Sequence, residues 1–308
     1  MAVPDFQSLM LPVLRVIADG EISAAALRDR VASNLNLSEQ DLAEMLPSGR
    51  QARFANRTAW ANVFLQRAGL IEKARRGVYR ITESGRAVLA ENPQRVDMKF
   101  LERFPRYAEW RQSSGATTDE ESDEAPNETG GSRSIATPEE QIDSSFRALT
   151  SALESDVLDR VREVSANAFE GLIIDVLIAM GYGGGKADMG KAVGRSGDGG
   201  IDGIIKEDPL GLDIVYIQAK RYAENSNVQR QEVQSFAGSL DGVGATKGIF
   251  VTTSAFSKGA HEYAARISKR LILIDGGQLA RLMVRHNVGV RLRAKYELKK
   301  VDEDYFSE

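Results

Sequence analysis

The sequence predicts two domains of different class, an α+β domain over residues 1–112 and an α/β domain over residues 139–298. Three observations support this division. A polar, acidic segment without apolar periodicity separates the two halves. Helical patterns that end in a β-hairpin precede it, and helices that alternate with short apolar strands follow it. With 308 residues, the chain is long enough for two hydrophobic cores.

The composition excludes several classes of protein. The chain has no cysteine, which excludes a disulfide scaffold and thiolate catalysis and leads us to expect a cytoplasmic protein. The first residues lack a basic stretch followed by an apolar run, and no run of about 18 apolar residues occurs, so we expect neither a signal peptide nor a membrane partner. His261 and His286 are too few and too far apart for a zinc site.

The net charge of −4 conceals an uneven distribution. Residues 1–112 contain 17 basic and 13 acidic residues, residues 113–140 contain 1 and 8, and residues 141–308 contain 22 and 23. The first domain is therefore basic, and the acidity is concentrated in the middle of the chain. We interpret residues 113–138 as a flexible linker, because so polar a segment cannot bury enough surface to offset the entropy of ordering it.

The elements of the first domain follow from apolar spacing and capping residues. Leucines at near-helical spacing predict a first helix over residues 6–18. Ser23 is a candidate N-cap of a second helix, Ser38 and Asp41 form a candidate capping box, and Asn56 is a candidate cap of a third helix. Residues 69–81 and 83–90 then predict a β-hairpin and a short closing helix. Three helices followed by a hairpin is the order of elements in a winged-helix domain.

Positive charge is concentrated on the third helix and the hairpin. Between residues 45 and 80, eight basic residues face a single acid, Glu72. Such an excess is typical of a surface that binds the phosphate backbone of double-stranded DNA. The candidate DNA-binding residues are Arg50, Arg53, Arg57, Arg67, Lys73, Arg75 and Arg76. A solvated or protein-binding surface is one alternative, and a linker that imitates DNA and competes for this surface is another.

The second domain alternates helices with short strands. Predicted helices over residues 140–164 and 167–181 precede a glycine-rich stretch, which lacks the spacing of a P-loop or of a dinucleotide-binding loop. The later elements are a strand near 203, a turn at 208–211, a strand over 213–222, a helix over 227–241, a strand over 247–252, a helix over 256–269, a strand over 271–274 and a helix over 277–286. This order predicts a mixed sheet with helices on both faces. The charged tail, residues 299–308, should fray.

Three polar residues on adjacent strands are candidates for chemistry. Gln218 and Lys220 alternate along one strand and therefore share a face. If the strand near 203 pairs with this one, Asp202 comes close to both of them. A carboxylate beside a lysine on rigid strands could bind a hard cation and an activated water, and a structural ion pair is the alternative. Asp198 is assigned to a turn. Residues 252–254 are assigned to a helix cap or to phosphate binding.

These residues resemble a known family. Glu170, GIDG with Asp202, and QAK with Gln218 and Lys220 look like the catalytic domain of Mrr-type restriction endonucleases, in the PD-(D/E)xK nuclease superfamily. VQSFAGSL, KGIFVTTSAFSKGAHEYA and LILIDGGQLARLM follow in the same order, and residues 56–85 resemble the family's winged-helix domain. The resemblance covers nearly the whole chain except the linker and implies a restriction-endonuclease-like fold for residues 139–298.

The resemblance also implies a mechanism. DNA would be hydrolysed with Mg²⁺, for which Mn²⁺ can substitute, and Asp202, Gln218 and the Ala219 main-chain carbonyl would bind the metal. Lys220 would position the attacking water, and Glu170 would bind a second metal or orient Lys220. Gln218 departs from the superfamily, which mostly has an acid there, although Mrr-type enzymes commonly carry glutamine. The family's substrate is methylated DNA, and a cut through both strands implies a homodimer or larger homo-oligomer.

Two other functions remain as alternatives. One is a repair or junction-processing nuclease on the same fold. The other is a regulator that binds DNA without cutting it, in which Glu170 would be an ordinary solvent-facing acid of its helix.

Overall fold

The computed structural model describes residues 2–113, 135–185, 190–192, 200–208, 212–302 and 304–306. Its contacts divide the chain into two compact units, Met1–Arg147 and Ala148–Glu308. The division differs from the predicted start of the second domain at residue 139. The reason is that the first residues of one long helix, α8 (Pro138–Glu163), pack on the first unit. Within the described residues, no helix is both long and apolar enough to cross a bilayer.

The first unit contains the predicted helices and hairpin, together with elements that the sequence pattern did not predict. Ser23 and Ser38 cap their helices as predicted, the latter in a capping box with Asp41. The elements are α1 (Phe6–Ile17), β1 (Ile22–Ser23), α2 (Ala24–Asn34), α3 (Glu39–Ala43), α4 (Arg53–Arg67), β2 (Ile71–Arg75), β3 (Val78–Ile81), α5 (Glu83–Ala90), α6 (Met98–Leu101) and α7 (Pro105–Ser113).

A small sheet and an aromatic cluster organise this unit. The strands lie in the order β1-β3-β2 and are antiparallel, so the predicted hairpin is confirmed and gains a third strand. Helix α1 packs against α4, where Phe6 stacks on Phe64 with ring centroids 5.2 Å apart. Trp110 of α7 meets Phe64 edge-on at 5.7 Å. Phe64 is therefore a core residue.

Asn56 does not cap the third helix, and that prediction is wrong. Helix α4 begins three residues earlier, at Arg53, with Ala52 as an N-cap that makes no side-chain hydrogen bond. Asn56 is instead buried one turn inside the helix. Its Nδ2 donates to Gln51 Oε1 at 3.2 Å, and its Oδ1 accepts from Thr137 Oγ1 at 2.6 Å. A buried amide with partners on both sides is a packing residue and not a cap.

The predicted linker ends earlier than expected. Residues 114–134 lie outside the described part of the chain, but Thr137 is completely buried against α4. Helix α8 (Pro138–Glu163) then begins with a reciprocal pair of bonds, from Thr137 N to Glu140 Oε2 at 2.9 Å and from Glu140 N to Thr137 Oγ1 at 3.3 Å. The last residues assigned to the linker are thus a helix start fixed on the first unit.

The second unit has the predicted alternation of helices and strands. Two features were not predicted, a 3₁₀ turn at Tyr182–Gly185 and the short strand β4. The elements after α8 are α9 (Ala166–Ala179), β4 (Gly190–Ala192), β5 (Gly203–Lys206), β6 (Ile214–Lys220), α10 (Arg230–Gly242), β7 (Lys247–Thr252), α11 (Lys258–Arg266), β8 (Arg270–Ile274) and α12 (Gly276–Arg285).

The five strands form one mixed sheet in chain order, β4-β5-β6-β7-β8. The pairs β4-β5 and β5-β6 are antiparallel, whereas β6-β7 and β7-β8 are parallel. Separate apolar clusters cover the two faces. Ile217 belongs to the cluster built with α9 and α12, and Tyr216 packs on the cluster built with α10 and α11. The predicted mixed sheet with helices on both faces is therefore present.

Candidate active site

The strands β5 and β6 bring the predicted catalytic residues together. Gly203 pairs with Ile217, and just before it the Asp202 N–H donates to the Ile217 carbonyl at 2.8 Å. The Asp202 side chain turns toward β6, where its Oδ2 accepts from the Ala219 N–H at 2.8 Å. Because this bond comes from a strand main chain, it fixes the orientation of the carboxylate independently of any flexible side chain.

Gln218 is the most informative residue of the site. It is only 6% exposed, and its Oε1 is buried without a hydrogen-bond partner among the described residues. An unsatisfied buried amide oxygen costs about 1–3 kcal/mol, so a native structure rarely leaves one without a reason. Gly200 makes room for this amide, because a Cβ at residue 200 would lie 2.7 Å from Gln218 Nε2. An unpaired amide oxygen on the residue before Ala219, whose N–H holds the Asp202 carboxylate, is suited to coordinating a cation.

The electrostatics place Glu170 in the same site. Burial raises the pKa of Asp202, and the hydrogen bond from Ala219 and the charge of Lys220 offset this only in part. Burial also raises the pKa of Glu170, and the negative charge of Asp202 raises it further while Lys220 lowers it. Glu170 on α9 is therefore close enough to both strand residues to interact with them. Two such carboxyl groups close together could be stabilised in their charged forms by a bound cation.

Lys220 is positioned by threonines that the sequence analysis misassigned. Its main-chain carbonyl accepts from Thr252 Oγ1 at 2.9 Å and from the Thr253 N–H at 3.3 Å. Thr253 Oγ1 also bonds both main-chain polar groups of Tyr222, at 2.7 and 2.8 Å. The cap of α11 is Ser257 instead, so the cap prediction for residues 252–254 is wrong. These buried hydroxyl groups hold the end of β6 on β7.

The atoms of this site that could coordinate a metal ion are oxygen atoms. Within the described residues, no three His, Cys, Asp or Glu side chains cluster closely enough to hold a metal ion. A metal in this site would therefore need neutral oxygen ligands beside the acids. Gln218 Oε1 is one such oxygen, and hard cations such as Mg²⁺ accept amide and carbonyl oxygens. The residues present thus fit a hard divalent cation. Asp198, assigned to a turn, lies outside the described residues.

Comparison with known proteins agrees with this geometry. The chain is 35% identical, over 99% of its own length and 100% of the relative, to the type IV methyl-directed restriction enzyme EcoKMrr of Escherichia coli strain K12. It belongs to the Mrr family of restriction endonucleases. The restriction endonuclease model of the Mrr catalytic domain matches residues 161–283, and the model of the Mrr N-terminal domain matches residues 6–91. The chain is therefore a DNA nuclease.

Solved structures resemble this Mrr-family chain only weakly. The MspJI restriction endonuclease bound to a 27-mer oligonucleotide is 31% identical over 44% of the chain and 33% of that protein, with a TM-score of 0.35. The DNA modification-dependent restriction endonuclease AspBHI is 19% identical over 70% of the chain and 52% of that protein, also with a TM-score of 0.35. Neither superposition is close enough to support an argument.

Two of the predicted DNA-binding arginines of this Mrr-family enzyme make contacts within the first unit. Arg57 is mostly buried, and it donates to Glu140 Oε1 at 3.0 Å and to the main-chain carbonyls of Val3 and Pro4 at 2.6 and 3.1 Å. Arg53 pairs with Glu44 at 2.5 Å and lies 3.7 Å from Glu140. Most N–H groups of Arg57 are therefore engaged within the first unit, which argues against a phosphate contact by this residue.

The remaining predicted cations differ in their surroundings. Arg67 stacks on the Trp110 ring at 5.4 Å, which uses its guanidinium face. Arg50, before α4, is exposed, and so are the three basic residues of the β2-β3 hairpin, Lys73, Arg75 and Arg76. Among the predicted DNA-binding residues, the exposed positive charge therefore lies on the hairpin and the loop before α4, and less on α4 itself.

Proposed function

We propose that this Mrr-family nuclease hydrolyses phosphodiester bonds of double-stranded DNA with Mg²⁺, for which Mn²⁺ can substitute, and that it restricts methylated foreign DNA. The metal dependence is supported above all by the buried Gln218 Oε1, which has no partner among the described residues and belongs to the residue before Ala219, whose N–H holds the Asp202 carboxylate. The preference for methylated DNA is supported by the relative from Escherichia coli, which is methyl-directed by name. A cytoplasmic location is part of the same proposal.

In the proposed mechanism, each residue has a distinct role. Asp202 and Gln218 bind the cation, with the Ala219 main-chain carbonyl as a third oxygen. The cation, when bound, activates a water and neutralises charge on the phosphate. Lys220 orients the attacking water and donates to a non-bridging phosphate oxygen, which stabilises the charge that develops there. Glu170 orients Lys220 or binds a second cation, and its position near both residues supports either role.

DNA binding is proposed for the first domain, residues 1–112, as a winged helix. The order of helices and the three-stranded sheet support this assignment. With Arg57 and Arg53 engaged inside the unit, we assign the phosphate contacts to the hairpin and to Arg50. Residues 113–138 would connect the domain to the nuclease domain, residues 139–298, and residues 299–308 would form a tail. Cutting both strands of a duplex would require a homodimer or larger assembly.

The test compares two otherwise identical plasmids, one methylated and one unmethylated, with Mg²⁺ or with EDTA. We expect cutting of the methylated plasmid only, and only with the metal. Equal cutting of both plasmids would contradict the restriction of methylated DNA while leaving the nuclease activity standing. Stronger cutting of a branched duplex than of a methylated linear one would favour a repair function. Cutting that continues in EDTA would remove the metal from the mechanism.

A further inference from the structure

An apolar stripe runs along one side of α8 with nothing packed on it in the described structure. Its four residues are 47, 68, 71 and 40% exposed, in the order Ile142, Phe146, Leu149 and Leu153. The residues between them are polar or small. A solvated helix needs no large apolar side chains, and a phenylalanine that is two-thirds exposed costs free energy in water. The stripe therefore needs a partner.

The spacing of the stripe specifies a helix as that partner. Its members are four, three and four residues apart, which corresponds to the d, a, d and a positions of two heptads. This alternation gives an average repeat of about 3.5 residues, the repeat that keeps a seam facing a second helix along its length. A groove or a sheet face would not require this repeat.

The contacts within each unit leave the stripe uncovered. Glu139, Glu140 and Asp143 make the contacts of α8 with the first unit, through Trp60, Arg57 and Ser48. None of the three points along the stripe: they lie roughly 50°, 150° and 90° around the helix from its middle. Further along α8, Val157 and Val161 are buried in the core of the second unit. Ile142 lies among the first of these contacts, and the other three stripe residues lie between the two anchored stretches.

We propose that the stripe is a self-association seam, on which α8 of a second copy of this chain packs in parallel and in register. The charges favour a second copy. Four residues flank the seam at its g and e positions. Ser145, Thr150 and Ala152 carry no charge, and Asp143, the one charged residue, accepts from the Ser48 N–H of the first unit at 3.1 Å. In two identical parallel helices Ser145 faces Thr150, so no like charges are opposed there. A partner of different sequence would be specified by charges at Ser145, Thr150 and Ala152, and these three residues carry none.

The proposal deepens the proposed function and rests on it. Cutting both strands of a duplex requires two copies of the site, and α9, which carries Glu170, follows α8 directly. A parallel pair of α8 helices places both copies of that following segment at the same end of the seam. Because two heptads are fewer than the roughly three to four of a freestanding coiled coil, the seam is one part of a larger interface.

The absence of cysteine permits a direct test. Three single-cysteine variants of the full chain are compared under mild oxidation, Leu149→Cys on the seam and Ser144→Cys and Ser151→Cys on the opposite side of the same helix. All three positions are exposed, so folding is not at risk. We expect a covalent dimer of Leu149→Cys about tenfold faster than of either control, because the seam brings the two sulfurs within bonding distance at high effective concentration.

Equal rates for all three variants would reflect random collision and would overturn the proposal. Absence of any crosslink at Leu149→Cys in a sample that sedimentation shows to be dimeric would overturn it too, since the interface would then lie elsewhere. A monomeric sample would also overturn the proposal, because the stripe would then be covered by another segment of the same chain, such as residues 291–306.

The crosslink is independent of DNA cleavage, so the two ideas fail separately. A crosslinking protein that never cuts DNA would contradict the proposed function and leave the seam standing. A second variant, Phe146→Ser with Leu149→Ser, should convert double-strand cutting to single-strand nicking with little change in thermal stability, because neither side chain belongs to a core. Undiminished double-strand cutting by this variant would overturn the seam.

Discussion

The chemistry of the site depends on the unusual state of one residue, Gln218. Its side chain is buried in a position where an acid would bind a divalent cation more tightly. An amide oxygen adds no charge, so metal affinity should be modest and should depend on Asp202 and Glu170. Gln218 Oε1 has no partner among the described residues, which costs stability. Gly200, with a φ of 91°, leaves room for the Gln218 amide that a Cβ would fill. This combination supports the proposed role of Gln218 Oε1 as a ligand oxygen.

Replacement of Gln218 by leucine should separate stability from activity. Leucine has a similar volume and removes the unpaired oxygen, so the metal-free protein should gain up to about 1 kcal/mol in free energy of unfolding. Cleavage with Mg²⁺ should nevertheless be lost. Denaturant unfolding in EDTA measures the first effect, and plasmid cutting measures the second. Strong destabilisation of the Gln218→Leu variant would show that the amide oxygen has a partner in the native protein.

The pH dependence of stability should reveal the carboxyl group of Asp202. Burial raises the folded-state pKa of Asp202 above its ordinary value of 3.8, so the folded protein retains its proton to higher pH than the unfolded chain does. The free energy of unfolding in EDTA therefore falls as pH rises from the unfolded-state pKa of Asp202 to its folded-state pKa. Below the unfolded-state pKa, the carboxyl group is protonated in both states and does not lower stability. Asp202→Asn cannot titrate and should melt higher than wild type at pH 7, with a gap that narrows toward pH 4. A gap that does not vary with pH would contradict the raised pKa.

The sequence identified the acids and the lysine but not what positions them. Strand alternation and the GIDG and QAK motifs were sufficient to group Asp202, Gln218 and Lys220. The Ala219 N–H and the Thr252 and Thr253 hydroxyl groups contribute through pairings between distant strands. No local pattern encodes such pairings. The sequence shows three consecutive hydroxyl residues, 252–254, at the end of a buried strand. The same pattern is expected whether they cap the next helix or hold the neighbouring strand by hydrogen bonds, so the sequence could not distinguish the two roles.

Among the elements, α4 and the start of α8 pack together, and the spacing of residues in the sequence could not reveal this contact. Arg57 and Glu140 are 83 residues apart, and part of the chain between them, residues 113–138, was assigned to a flexible linker. The acidic start of α8 neutralises part of the positive charge of α4 and fixes Trp60 through its Nε1, which donates to Glu139 at 2.6 Å. Counting charges along the chain therefore overestimated how much of α4 is open to phosphate.

Thr137→Val should destabilise the first unit. The substitution preserves the shape of a completely buried residue but removes the hydroxyl that donates to Asn56 Oδ1. Without this donor the buried amide oxygen of Asn56 loses its hydrogen bond, which is expected to lower the free energy of unfolding by about 1–3 kcal/mol. Ser144→Ala, an exposed change on the same helix, serves as the control and should have almost no effect. Equal stability of the two variants would show that residues 135–143 do not pack on α4.

The hairpin should bind phosphates that α4 does not reach. Replacing Arg75 and Arg76 by alanine should weaken binding to all DNA sequences and reduce the slope of log affinity against log salt by about 0.9 for each phosphate that is no longer neutralised. The control is Arg103→Ala, because this exposed arginine of the same unit pairs with Glu91 away from the hairpin. Fluorescence anisotropy at several salt concentrations measures the slope. An unchanged slope in the double variant would remove the hairpin from the DNA interface.

For the whole molecule, the order of elements was largely predictable, whereas their division into units was not. Apolar periodicity identified all of the longer helices of the second unit and the strands of its sheet from β5 to β8. It missed β1 and β4, which are two and three residues long and carry too little periodicity. The boundary was misplaced because α8 is a single helix whose two ends belong to different units.

The central claim is that Asp202 and Gln218 form a metal-dependent site for cutting DNA. The most direct test is cleavage of methylated plasmid by wild type and by Asp202→Asn, with Mg²⁺ or EDTA, beside DNA affinity and melting temperature. Asp202→Asn can still accept the Ala219 hydrogen bond, so we expect it to fold and bind DNA as wild type does but to cut at no measurable rate. Undiminished cutting by a folded Asp202→Asn protein would contradict the account.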